Sequence, residues 1–187
     1  AGAARNQPAA FLSETINCED AIPVAASPTS GDNCGAAPIT FDEVSTQGGD
    51  PTICSFYDYT ITRTYTATDA CGNTTSDSYV ITVEDDEAPD FSGEITFLNE
   101  SSGANCSASV TLDLTGIPDN CATNFLTTSY AVVDDNGNTV DAGNGLNASG
   151  TFDVGVYNVN FTAIDPCGNV GTHTVVVTVA DNVAPTA

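Results

Sequence analysis

Two stretches of this chain alternate apolar and polar residues with a period of two. In the first, Tyr57, Tyr59, Ile61, Tyr65 and Ala67 alternate with Thr60, Thr62, Thr64 and Thr66, the pattern of a half-buried strand. A turn over residues 69–73 follows, and Tyr79, Ile81 and Val83 alternate on a return strand. The second stretch repeats this order, with Tyr157, Val159, Phe161 and Ala163, a turn over 165–169, and Val175, Val177 and Val179. Shorter strands at turn-punctuated spacing precede each hairpin, and no segment shows helical periodicity. The pattern predicts an all-β chain of two tandem immunoglobulin-like β-sandwich domains.

Local motifs recur with the strands. Asp32-Asn33-Cys34 returns as Asp119-Asn120-Cys121, Asp69-Ala70-Cys71-Gly72-Asn73 as Asp165-Pro166-Cys167-Gly168-Asn169, and residues 83–89 as 179–185. The second copy is longer in its middle, and the Gly- and Asn-rich residues 134–150 read as loops that hold the extra length. The expected boundaries are an N-terminal arm or linker at 1–13, repeat one at 14–84, an acidic joint at 85–91, repeat two at 92–182 and the start of another joint at 183–187. Arg63 interrupts the alternation, standing in the inward phase where repeat two has Val159. It is either a specific anion contact or, as is commoner, a charge satisfied by a carboxylate at the sheet edge.

Charge changes the picture. The 187 residues hold 25 Asp and Glu against 2 Lys and Arg, a net charge of -23, so ion pairing cannot neutralise the chain. Spread evenly, these charges stand farther apart than the Debye length of about 8 Å and are tolerable. Glu84, Asp85, Asp86, Glu87 and Asp90 are different, because five carboxylates fall within seven residues around Pro89. Such a run is commonly a solvated linker; a compact joint built from it needs a divalent cation. The acidity argues against nucleic acid and anionic membranes as partners. No apolar run approaches the length of a membrane span.

Seven cysteines without CxxC spacing, in small β units, read as a disulfide framework and an oxidising, extracellular compartment. The repeated positions pair Cys34 with Cys71 and Cys121 with Cys167, and elimination leaves Cys18 with Cys54. Cys106 is odd, and reads as a buried thiol or as the partner of a cysteine elsewhere.

Cys18-Glu19-Asp20-Ala21-Ile22-Pro23, Asp32-Asn33-Cys34, the run Tyr59 to Asn73 and the Val-x-Asp-x-x-Ala-Pro endings together resemble hyalin-type, HYR-like immunoglobulin-like repeats of large Bacteroidetes cell-surface and gliding adhesins. The resemblance implies a non-catalytic stalk or adhesin on a bacterial surface. A weaker similarity is to cadherin joints, whose calcium-binding tract is matched in kind by Asp86, Glu87, Pro89, Asp90 and Phe91. Val83 stands where that tract has an upstream Asp.

In an immunoglobulin-like sandwich the Asp-Asn-Cys motif falls in the B–C loop and the Asp-x-Cys-Gly-Asn turn in the F–G loop, at the pole where the chain enters the domain. Glu84, Asp85, Asp86 and Asp90 with Asp119 and Asp165 are therefore the expected ligands of an interdomain calcium ion, which takes six to eight oxygens. The competing role for Asp69 and Asp165 is to cap their own turns.

No catalytic constellation stands out. His173 is the one histidine, Trp is absent, and no GxSxG, HExxH or phosphate-cradling motif is present. The expected function is a calcium-rigidified stalk whose partners are neighbouring repeats or identical protomers, with surface glycans or other cells as targets. Two alternatives remain at this level: a filament subunit that donates residues 1–15 as a strand to the next protomer, and an accessory carbohydrate-binding module of a secreted enzyme. Asn73, Asn99, Asn105, Asn147 and Asn160 begin Asn-x-Ser/Thr sequons of the kind a Thr-rich chain produces by chance.

Overall fold

A computed structural model describes residues 12–33, 35–103 and 105–185. Regular structure among them is β throughout, apart from two single 3-10 turns. The chain divides into two compact units, Ala1–Asp86 and Glu87–Ala187. The N-terminal arm lies outside the described residues except for Leu12 and Ser13, and Cys34 also lies outside them.

Unit 1 is built on one four-stranded sheet of order β1-β4-β3-β2, with β1 Glu14–Asn17, β2 Ile39–Ser45, β3 Tyr59–Thr68 and β4 Thr74–Glu84. The alternating run becomes the antiparallel β3–β4 hairpin, in register from Tyr59↔Val83 to Thr68↔Thr74. β1 adds in parallel to β4. The inward phase buries Ile61, Tyr65, Tyr79, Ile81 and Val83. No second sheet covers them among the described residues. The irregular chain between β1 and β2 does so instead, with Cys18 and Ala26 packed on the cluster. Pro23, Pro28 and Pro38 punctuate that stretch, and proline removes the N–H groups a central strand needs.

Arg63 is 5% exposed and holds this cover in place. Its Nε donates to Glu43 Oε2 at 2.6 Å and its Nη1 to the Pro23 carbonyl at 2.6 Å and the Tyr79 hydroxyl at 3.3 Å. Glu43 sits on the edge strand β2, beside Arg63 in the β2–β3 register, so the sheet-edge carboxylate reading of this arginine holds. Tyr65 makes a second tie, donating from its hydroxyl to the Ala26 carbonyl at 2.9 Å.

Unit 2 has two sheets. The larger has order β5-β11-β10-β7-β8, with β5 Phe97–Ser101, β7 Thr127–Asp134, β8 Thr139–Asn144, β10 Gly155–Ile164 and β11 Val170–Ala180; the smaller pairs β6 Ser107–Val110 with β9 Gly150–Asp153. Backbone bonds from Leu114 to Leu146 and from Ala148 to Leu112 extend the smaller pairing. One core joins the layers: Val110, Leu112, Leu114 and Phe152 meet Val132, Val159, Phe161, Val175, Val177 and Val179. Residues 134–150, expected to be loops, contain the edge strand β8. Its sequence Thr-Val-Asp-Ala-Gly-Asn is mostly exposed, so no inward apolar phase marks it; its backbone bonds to β7 make it a strand.

The chain entering unit 2 is fastened to β11. Phe91 joins the core and stacks on the His173 ring at 5.7 Å. The imidazole Nε2 of His173 donates to the Ile95 carbonyl at 2.6 Å. Gly171 permits the close approach, since a Cβ there would collide with the Pro89 carbonyl oxygen.

Candidate metal centre

Three hairpin turns share one construction. In residues 69–73, 134–138 and 165–169 an Asp opens the turn and a Gly-Asn pair closes it. The Asp N–H donates to the Asn carbonyl at 2.9, 2.9 and 3.2 Å, and the Gly N–H to the Asp carbonyl at 3.1, 3.0 and 3.2 Å. Each glycine lies in the left-handed region, at φ 88°, 85° and 90°, where a Cβ is strained. The Asn amide closes onto the Asp carboxylate at 2.7, 3.1 and 2.8 Å. The Asn73 side chain thereby holds Asp69 below its ordinary carboxylate pKa, and the Asn138 side chain does the same for Asp134. The third turn escaped the sequence reading because it lacks the cysteine; the Asp-x-x-Gly-Asn spacing was the available signal.

Asp165 differs from its two counterparts in being 5% exposed. A carboxylate oxygen of Asp119 lies within 4.8 Å of one of its own. Asp119 is fixed by its loop: Oδ1 accepts from the Cys121 N–H at 3.0 Å and the Ala122 N–H at 2.6 Å. The Thr123 hydroxyl donates to the Asp119 carbonyl at 2.7 Å and accepts from its N–H at 3.1 Å. This Asx turn leads into the 3-10 turn Thr123–Phe125. Asp119 Oδ2 is buried and has no hydrogen-bond partner. At an effective dielectric of about 20, two carboxylates this close repel by about 3 kcal/mol. Unit 2 thus presents a rigid anionic pair with spare oxygen lone pairs, suited to a hard cation.

The other expected ligands are placed differently. Asp90 joins the same end of unit 2 through its backbone, its N–H donating to the Pro118 carbonyl at 2.9 Å. Its carboxylate serves the next turn, accepting from the Ser92 N–H and hydroxyl, both at 2.7 Å. The Ser92 hydroxyl, followed by its N–H, holds Asp90 below the usual carboxylate range. In unit 1, Glu84 and Asp86 are exposed, whereas Asp85 is buried at 4%. The Asp85 N–H donates to Asp58 Oδ1 at 2.7 Å, and the Cys18 N–H donates to the Glu84 carbonyl at 2.9 Å, which pins the end of β4.

Cys18, Cys54, Cys121 and Cys167 are disulfide-bonded. Cys71 is free and exposed, and its expected partner Cys34 lies outside the described residues; Cys71 stands at a turn tip whose geometry the Asp and Asn side chains complete without it. Cys106, expected as a buried thiol or as the partner of a cysteine elsewhere, is free and exposed, which corrects the buried reading. It lies at a loop tip with φ 56°.

Residues 7–83 match the family model of an HYR-like domain with 4 cysteines. The cysteines within the HYR-like span are Cys18, Cys34, Cys54 and Cys71. Among solved structures, mouse cadherin-23 EC22-24 is similar at 16% identity over 94% of this chain and 65% of that one, with a TM-score of 0.35. Drosophila N-cadherin EC1-4 is similar at 19% identity over 92% and 48%, with a TM-score of 0.32. The protocadherin GammaB4 extracellular domain is similar at 18% identity over 92% and 32%, with a TM-score of 0.37. The chain spans about a third to two thirds of the length of these three structures. No curated protein matches it.

Proposed function

We propose that this chain is a segment of an extracellular adhesion-type stalk on a bacterial surface, made of immunoglobulin-like repeats and stiffened by calcium. Asp119 and Asp165 are the nucleus of the ion site. Glu84, Asp85, Asp86 and Asp90 of the acidic tract contribute the remaining carboxylates, and the tract 85–91 is the joint between repeats. The observation that carries this reading is the buried, unpartnered Oδ2 of Asp119 beside the buried Asp165. An anionic pair that a fold holds together in this way is stabilised by any cation that binds only the folded state, by about 2.7 kcal/mol when the cation is at about 100 times its dissociation constant.

The test is calorimetric titration of the demetallated chain with calcium, beside Asp119→Asn, Asp165→Asn and an Asp85→Ala/Asp86→Ala double variant. The expected result is binding in the wild type that is lost in the first two and weakened in the third. Equal binding in Asp119→Asn and the wild type overturns the site. Loss confined to the double variant moves the ion to the tract alone. The filament alternative has less support, since β1 already pairs with β4 and the Val80 N–H donates to Ser13 Oγ at 3.0 Å.

A further inference from the structure

The chain carries 25 acidic side chains, and none stands on the outer face of the large sheet of unit 2. One side of that sheet packs into the core through Val132, Val159, Phe161, Val175 and Val177. On the other side, the outward positions of β5, β7, β8, β10 and β11 hold Asn, Thr, Ser, Ala, Val, Ile and Phe, with no Asp, Glu, Lys or Arg among them. The face is open to solvent. Phe97 is 68% exposed, Val156 44% and Val170 51%. Part of its polar content is satisfied within the face, where the Thr174 hydroxyl donates to Asn160 Oδ1 at 2.8 Å. We propose that this face is a self-association surface that takes the same face of a second copy of the chain, sheet against sheet in an isologous pair.

Charge selects the occupant. Two copies of a chain with a net charge of -23 repel wherever acidic surfaces meet, but across this face they approach with their carboxylates outside the contact. A strongly basic or acidic partner finds no counter-charge here. The same face of a second copy matches it in size and in character. Strands of 5, 8, 6, 10 and 11 residues, at a rise of about 3.3 Å per residue and a spacing of about 4.8 Å, give a footprint of about 600 Å² on each copy. The pair buries about 1,200 Å², the lower end of specific interfaces. The association is therefore weak and reversible, with Phe97 as its aromatic anchor. It makes no use of the ion site.

The test is sedimentation equilibrium of the full chain in chelator, at concentrations up to about 1 mM so that weak dissociation constants are reached. Dimers are expected, and they should tighten as salt rises, because screening relieves the repulsion between copies and the contact contains no ion pair to weaken. Asn158→Glu and Thr174→Glu, at exposed positions of the face, should each raise the dissociation constant by about tenfold or more, since sheets about 10 Å apart then hold opposed carboxylates. Ser76→Glu, at an exposed position of β4 in unit 1, should leave it unchanged. Circular dichroism checks the fold of each variant, and hydroxyl-radical footprinting of the wild type, expected to show Phe97 and Val156 protected in the dimer, needs no variant at all. A chain that stays monomeric overturns the proposal, as do dimers that form only in calcium, dimers that persist in both face variants, dimers lost in Ser76→Glu, and dimers that leave Phe97 unprotected.

Discussion

Arg63→Met tests whether a side-chain clamp replaces a second sheet in unit 1. The substitution keeps an apolar stem over the Tyr79 ring but removes the guanidinium donors to Glu43 and the Pro23 carbonyl, each at 2.6 Å. Hydrogen bonds to a charged group contribute about 1.5–3 kcal/mol each. The Glu43 side chain is 42% exposed and rehydrates on release, so its bond belongs at or below the bottom of that range. The Pro23 carbonyl loses its donor where the cover meets the sheet. A total of about 3 kcal/mol follows, against a stability of about 4–11 kcal/mol for a unit of this size. At roughly 4–8 °C per kcal/mol, unit 1 should melt about 15 °C lower. Near-UV circular dichroism can follow it, because four of the six tyrosines, Tyr57, Tyr59, Tyr65 and Tyr79, lie in unit 1. Glu43→Gln is the control, expected to cost about 1 kcal/mol or less. A loss below about 1 kcal/mol in Arg63→Met, or an equal loss in Glu43→Gln, refutes the clamp.

Two further outcomes follow from the turns and from the entry to unit 2. Asp69 and Asp134 are held below the ordinary carboxylate pKa by their Asn partners, so their contribution is fully present above about pH 3.9 and is lost as pH falls through the folded-state values. Asp134→Asn should flatten the acid limb of urea midpoints measured from pH 5 to pH 2, and a limb parallel to that of the wild type contradicts this. Gly171→Ala drives a Cβ into the Pro89 carbonyl oxygen and should destabilise unit 2 by about 1–3 kcal/mol while raising amide exchange at Asp90. Unchanged exchange there argues against the close approach.

Much of the hairpin architecture was legible because inward and outward positions alternate where one face is buried and the other is wet. Ile61, Ile81, Val159, Phe161, Val175 and Val177 all lie in the cores their phase predicted. Strand β8 was not legible, since an exposed edge strand carries no apolar phase. Nor was the cover of unit 1 legible, because its attachment depends on donors from Arg63 and Tyr65 reaching carbonyls about 40 residues away in sequence. Cys71 and Cys167 hold the same position in the same turn, yet Cys167 is disulfide-bonded and Cys71 is free and exposed. A repeated position predicts a repeated environment only when the neighbours repeat as well.

The same limit explains why one turn motif serves two ends. Asp69, Asp134 and Asp165 make equivalent hydrogen bonds to Asn73, Asn138 and Asn169, so the motif alone specifies a capped hairpin and nothing more. Asp69 and Asp134 stay near solvent, where water screens the carboxylate and a bound ion has little to gain. Asp165 is buried beside Asp119, whose loop spends Oδ1 on the Cys121 and Ala122 N–H groups and leaves Oδ2 without a donor. Capping therefore does not separate the two carboxylates at the 165–169 turn. The Asp165 carboxylate accepts from the Asn169 N–H and side-chain amide and still faces a second carboxylate, which is the demand for positive charge on which the proposed ion site rests. That demand arises from packing around the motif, which is why the Asp-x-Cys-Gly-Asn pattern marks a candidate ligand in unit 2 and a turn cap in unit 1.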